Sequence, residues 1–243
     1  MDPDVTLRLL WRAGAGPRRG PRQGLSVDAV VAAAVQLADT AGLEALTMRR
    51  VAQHLGVAAM TLYTYVPGKE ELLDLMLDAV YAAMPRSDTA GRPWRERAAA
   101  VAAENRALYA DHPWAATVST SRPPLGPGLM AKYEHELTAF DGLGLDDVTI
   151  DAALTHLLNF VRAAARDVAD ARALRQATAM TDAKWWAANA PLLERVLDRA
   201  AYPRATRVGS AAGSAQDSAY DPERAYAFGL ARVLDGLAAL IEG

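Results

Sequence analysis

The hydrophobic spacing of the first third of the chain predicts three short amphipathic helices followed by a longer one. Val27, Val30, Val31, Ala34, Val35 and Ala38 fall on one stripe at helical spacing, with Ser26 placed to cap its start and Gly42 to close its end. Thr47 caps a second stripe, Met48, Val51, Ala52 and Leu55, which stops at Gly56. Gly56 and Val57 are all that remains for a turn before a third helix over 58–66, ended by Pro67-Gly68. The fourth opens at Lys69-Glu70-Glu71 and carries Leu72, Leu73, Met76, Leu77 and Val80 on a broad apolar face as far as Pro85. Longer helices are expected over 94–110, 129–140, 147–176, 182–201 and 222–242, with a short piece near 114–118. Two stretches lack the pattern. Residues 1–24 read as a flexible basic arm, because 13–24 is Gly, Pro and Arg with almost nothing apolar to bury. Residues 203–220, rich in Ser, Gly and Ala, read as a mobile surface loop.

The fold class that follows is all-α: a three-helix helix-turn-helix domain over 25–70 and a larger helical domain over 71–243. Composition agrees, with 51% hydrophobic residues, 23% charged and runs of Ala that favour helix throughout. The chain has no cysteine, which excludes disulfides, thiolate metal sites and cysteine nucleophiles and fits a reducing compartment. No apolar stretch reaches the roughly 18 residues needed to span a bilayer, so no membrane contact is expected. The apolar patch Val5–Trp11 lacks the basic start and small-residue cleavage site of an export signal, so the expected location is the cytoplasm. Net charge is −3, yet residues 1–69 hold eight Arg/Lys against five Asp/Glu, and residues 70–243 hold eighteen against twenty-four. The basic end is therefore the candidate DNA-facing end.

The third helix carries the chemistry. At 100° per residue Ala58, Leu62 and Val66 point into the bundle, and Met60 and Thr64 point away from it, flanked by Thr61 and Tyr63. A merely solvated face would carry Glu, Lys and Asp. This one has hydroxyls, an aromatic ring and a thioether but no carboxylate, which suits a surface pressed against phosphates and base edges.

The run Thr47-Met48-Arg49-Arg50-Val51-Ala52-Gln53-His54-Leu55-Gly56-Val57, then Thr61-Leu62-Tyr63 and Val66-Pro67-Gly68-Lys69-Glu70-Glu71-Leu72-Leu73, resembles the DNA-binding segment of the tetracycline-repressor (TetR) family. The resemblance implies that Thr47, Tyr63, Tyr65 and Lys69 bind phosphates and that Arg49, Met60, Thr61 and Thr64 approach base edges. One departure matters: the recognition helix has no Arg, Lys, Asn or Gln, the residues that make bidentate contacts to guanine or adenine. Arg49, one helix earlier, is then the single bidentate reader.

The remainder resembles the ligand half of a subset of the same family through His112-Pro113-Trp114, Ser121-Arg122-Pro123-Pro124 and Leu157-Leu158-Asn159-Phe160. The resemblance implies a small-molecule effector, with Arg122, Asn159 and Phe160 as leading pocket residues and Trp114, Met130, Trp185 and Trp186 behind them. Such walls suit a largely apolar ligand. It also implies a homodimer, joined through helices near 148–170 and 222–242, on a palindromic double-stranded operator. The family's magnesium-holding histidine would precede the Arg-Pro turn, but Val118 stands there, and His54, His112, His135 and His156 have no ligand spacing. No metal or other cofactor is expected. Nor is an enzyme, since Gly-x-Ser-x-Gly, a phosphate-cradling glycine loop and His-Glu-x-x-His are all missing. A DNA-binding regulator that answers to a protein partner or to nothing stays open as the alternative.

Overall fold

A computed structural model describes residues 3–13, 25–119, 122–216 and 218–243, and among them every regular element is helical. In chain order these are α1 (Pro3–Leu10), α2 (Val27–Ala41), α3 (Met48–His54), α4 (Ala59–Tyr63), α5 (Lys69–Ala83), α6 (Trp94–Asp111), α7 (Pro127–Leu137), α8 (Asp147–Thr178), α9 (Asp182–Val196), α10 (Pro203–Gln216) and α11 (Pro222–Ile241). Short 3-10 turns occupy Leu43–Ala45 and Pro113–Ala116.

The expected caps form. Ser26 Oγ accepts the Ala29 N–H at 3.1 Å, and Thr47 Oγ1 accepts that of Arg50 at 3.2 Å. Gly56 takes φ +69°, which leaves α3 and α4 joined by the tightest of turns. α4 is shorter than the expected 58–66. Proline at 67 excludes the helical conformation for Val66, so the chain leaves the helix after Tyr63 and finishes in a turn in which Tyr65 and Val66 both donate to the Leu62 carbonyl.

Two expectations fail. Pro3–Leu10 is helical and docked on α5, with Thr6 and Leu10 buried, where a flexible arm was expected. An Asp4–Arg8 pair at 2.6 Å one turn apart supports the helix. The Trp11 indole N–H donates to the Leu125 carbonyl at 2.8 Å, and Arg12 pairs with Asp28 on α2. The Gly/Pro/Arg part of the arm, 14–24, lies outside the described residues. Likewise Pro203–Gln216, expected as a mobile loop, is α10. Its alanines outweigh its glycines in helix propensity, and Gly213 is where it meets α9: a Cβ there would stand 2.6 Å from the Trp186 ring.

α5 passes from the helix-turn-helix domain into the larger one, packing on α2 at one end and α7 at the other. The α5–α7 crossing is unusually close because Gly126 and Gly128 face Asp78, where a Cβ at either would overlap it. Asp78 caps α7 by accepting the Leu129 N–H at 2.8 Å, although burial still holds its carboxyl above the ordinary range. A second tie joins the halves. Asp39 on α2 accepts from the Trp114 indole at 2.7 Å and bonds His112 Nδ1 at 2.8 Å.

Candidate nucleic-acid interface and ligand half

α4 presents the outward face that its sequence implied, although Ala58, expected to point into the bundle, is instead its exposed N-cap. Leu62 and Val66 are fully buried, whereas Met60 is 75% exposed, Tyr63 44% exposed, and Thr61 and Thr64 also exposed. The Thr64 hydroxyl donates to the Thr61 carbonyl at 2.7 Å, so its lone pairs and methyl face outward. Tyr65 is half-buried against the core and offers only part of its ring. Thr47 and Arg49 on α3 and Lys69 at the start of α5 are exposed beside this face. Arg50 is exposed too, but its guanidinium donates to the Ala45 carbonyl at 3.2 Å. Lys69 precedes two acids, and Asp74 one turn on is held above the usual carboxylate range, first by burial and then by Glu71 and Glu70.

The ligand half does not gather the seven candidate residues. Trp114 is buried but spends its indole N–H on Asp39. Arg122 is exposed at the surface, Met130 is 39% exposed, and Asn159 is exposed, accepting from Arg162 at 3.1 Å. Phe160 stacks on Tyr226, with ring centroids 5.7 Å apart. Trp186 packs on α10, and Trp185 borders a cleft of about 290 Å³ with Leu174, Met180 and Tyr220. Met130, Asn159, Phe160, Trp185 and Trp186 fall on the expected helices, Trp114 in a 3-10 turn and Arg122 in a loop, and sequence spacing did not say which way each turns.

What it missed is a polar cluster buried among α5, α6, α7 and α8. Lys132 Nζ lies 2.6 and 2.7 Å from the two Glu136 oxygens, both side chains almost wholly buried. Asn105, fully buried, donates to Glu136 and to the Val101 carbonyl, while its own Oδ1 has no hydrogen-bond partner. Lys132 Nζ sits 5.3 Å from the Tyr81 ring centroid. Burial pushes the Tyr81 phenol well up and that of Tyr109 up to about 12, and it pulls Lys132 down against the opposing pull of Glu136. In the sequence Lys132 and Glu136 look like an i,i+4 pair on a wet face, which hid them. Among the described residues no group of three or more His, Cys, Asp or Glu side chains could hold a metal ion, and no helix is long and apolar enough to cross a membrane.

Comparison with known proteins decides the family. The profile of bacterial regulatory proteins of the tetR family matches residues 30–76, and that of the tetracyclin repressor-like C-terminal domain matches residues 87–241. The chain belongs to the TetR family. Within that family of transcriptional regulators it is 43% identical, over 238 residues, to the HTH-type transcriptional repressor DrrR1 of Streptomyces coeruleorubidus, covering 97% of this chain and 86% of that one. Its fold matches Streptomyces coelicolor ActR in complex with actinorhodin, with a TM-score of 0.73 and 27% identity over 90% of this chain and 98% of that one. It also matches BioQ bound to its double-stranded DNA operator, with a TM-score of 0.54 and 28% identity over 63% and 91%. TetR membership places the DNA-binding helix-turn-helix within residues 30–76 and the C-terminal domain over 87–241.

Proposed function

We propose that this TetR-family regulator is a cytoplasmic repressor that grips a palindromic operator as a homodimer and lets go when a small, largely apolar molecule binds its C-terminal half. The observation that carries the DNA reading is the exposed, carboxylate-free face of α4 on a fully buried Leu62 and Val66. Thr47 caps α3 by accepting, so its own hydroxyl proton stays available to a phosphate oxygen, and Lys69 adds a cation at a helix start. Met60 and the threonine methyls would press on thymine methyl groups, and Arg49 would read a guanine.

Dimerisation is supported by the apolar surface that α8 and α11 leave uncovered. Val148 is 79% exposed, and Phe228 and Leu240 are also exposed, while Leu234 and Leu237 on α11 are spent on the subunit's own core. The ligand reading rests on the ActR complexes with actinorhodin and (S)-DNPA and on the 43% identity to a repressor. α5 is the connecting lever between the two halves, so a ligand that favours one α5 tilt changes the spacing of the two α4 helices.

Selection of bound sequences from random duplexes tests the proposal. The expected product is an inverted repeat bound by two chains. A thermal-shift screen of planar aromatic compounds, followed by gel shift on the selected duplex, then tests release. A compound that raises the melting temperature yet leaves operator affinity unchanged would remove the ligand-release half of the reading.

A further inference from the structure

Between the C-terminal half of α6, the middle of α8 and the start of α11 lies a cleft of about 190 Å³ that neither the DNA face nor the Lys132–Glu136 cluster uses. One wall is α8, where Ala164, Ala165, Val168 and Ala169 leave a flat apolar surface of small side chains. The facing wall has the rings of Tyr109 and Tyr226. Tyr226 is braced by Phe160, stacked 5.7 Å away, and by the Arg106 guanidinium, 4.3 Å from its ring centroid.

Charge on the rim is unbalanced. Arg106 is paired with Glu223, but Arg172 lines the same cleft and makes no ion pair among the described residues. Burial raises both tyrosine phenols, so they stay neutral and do not oppose an anion. The larger cleft beside Trp185 lacks this excess, because its Asp182 is already matched by Arg175 at 2.7 Å. Size limits the occupant. An engineered cavity of about 150 Å³ holds benzene, and drug-sized ligands need about 300 Å³ or more, so this cleft suits one or two fused rings.

We propose that this cleft is a small-molecule site for a planar aromatic carboxylate, its rings lying between the α8 alanine wall and Tyr226 and its carboxylate meeting Arg172. A flat aliphatic wall opposite an aromatic one selects planarity, and a guanidinium without a partner selects a planar anion by bidentate hydrogen bonding. The site concerns binding alone and does not rest on the regulatory reading.

The test is calorimetric titration of the full-length protein, without DNA, with 2-naphthoate and with its neutral isostere 2-naphthalenemethanol. The carboxylate is expected to bind about tenfold more tightly or better, the return on one charge-assisted contact. Arg172→Gln should erase that preference and leave the affinity for the alcohol unchanged, and Ala165→Trp, which fills the cleft, should abolish binding of both. Arg172 is exposed, so Arg172→Gln keeps the fold and decides by itself should Ala165→Trp lose its helical circular dichroism. Absence of naphthoate binding in the millimolar range, a preference that survives Arg172→Gln, or binding that survives in a folded Ala165→Trp would each overturn the proposal. Because DNA is absent, failure here leaves operator release untouched, and failure of operator release leaves this site untouched.

Discussion

At the level of single side chains, the proposed DNA face offers few groups that could read bases, and that makes individual residues easy to test. Arg49 stands exposed beside an α4 face that offers no other bidentate donor. Arg49→Ala is expected to cost about 1–3 kcal/mol on the selected operator and to relax preference at one base pair per half-site. Gel-shift titration checks this, and equal losses on operator and scrambled duplex would assign Arg49 to the phosphate backbone instead. Asp74 tests the electrostatics of the α5 start. Its carboxyl is held above the ordinary range in the fold, so its ionisation at neutral pH opposes folding, and the folded state gains as pH falls towards the unfolded value of 3.8. Asp74→Asn should therefore raise stability to urea near pH 7, with the gain disappearing below about pH 4, where both side chains are neutral. A gain that persists there would mean that amide hydrogen bonding, and not charge, explains it.

Helices were legible where a stripe and a cap coincided. α2 and α3 begin at the residues after Ser26 and Thr47, as their hydroxyl caps imply. α1 and α10 were not legible, for opposite reasons. α1 is a short helix whose order comes from docking Leu10 on α5 and tying Trp11 to Leu125, contacts far away in the chain that no local pattern records. α10 carries Ser and Gly that read as loop, yet its Gly213 is where the backbone comes close to Trp186. The α5–α7 crossing makes the same point sharply. A Cβ on Gly128 would lie 2.0 Å from the Asp78 carbonyl oxygen, which is backbone and cannot swing aside. Gly128→Ala is expected to cost at least about 1–3 kcal/mol by forcing the two helices apart. Urea denaturation followed by circular dichroism measures it, and a neutral result would mean that α7 sits farther from α5 in solution.

For the whole molecule, function depends on how two halves that share one continuous hydrophobic core are joined. One joint is α5 itself. Another, besides the contacts of Trp11 and Arg12 at the end of α1, is Asp39, which takes the Trp114 indole and His112 from the turn after α6. Trp114→Phe keeps the ring and removes the donor, leaving Asp39 one partner short. A loss of about 1–3 kcal/mol is expected, together with a separation of the single unfolding transition into two as the halves decouple. Differential scanning calorimetry reads both, and an unchanged single transition would show that α5 suffices.

Spacing and caps were enough to establish an all-helical regulator, and the missing carboxylates on one short helix to single out α4 as its candidate DNA face, because helix period and turn chemistry are local and each residue reports its own side. The ligand half obeyed no such rule. Whether Trp114 lines a pocket or braces α2, and whether Lys132 and Glu136 are wet or buried, depends on what other helices lie against them. Packing decides that, and packing is a property of residues far apart in the chain, so the fold alone could turn Trp114 towards Asp39 and place Arg172 on the rim of a cleft.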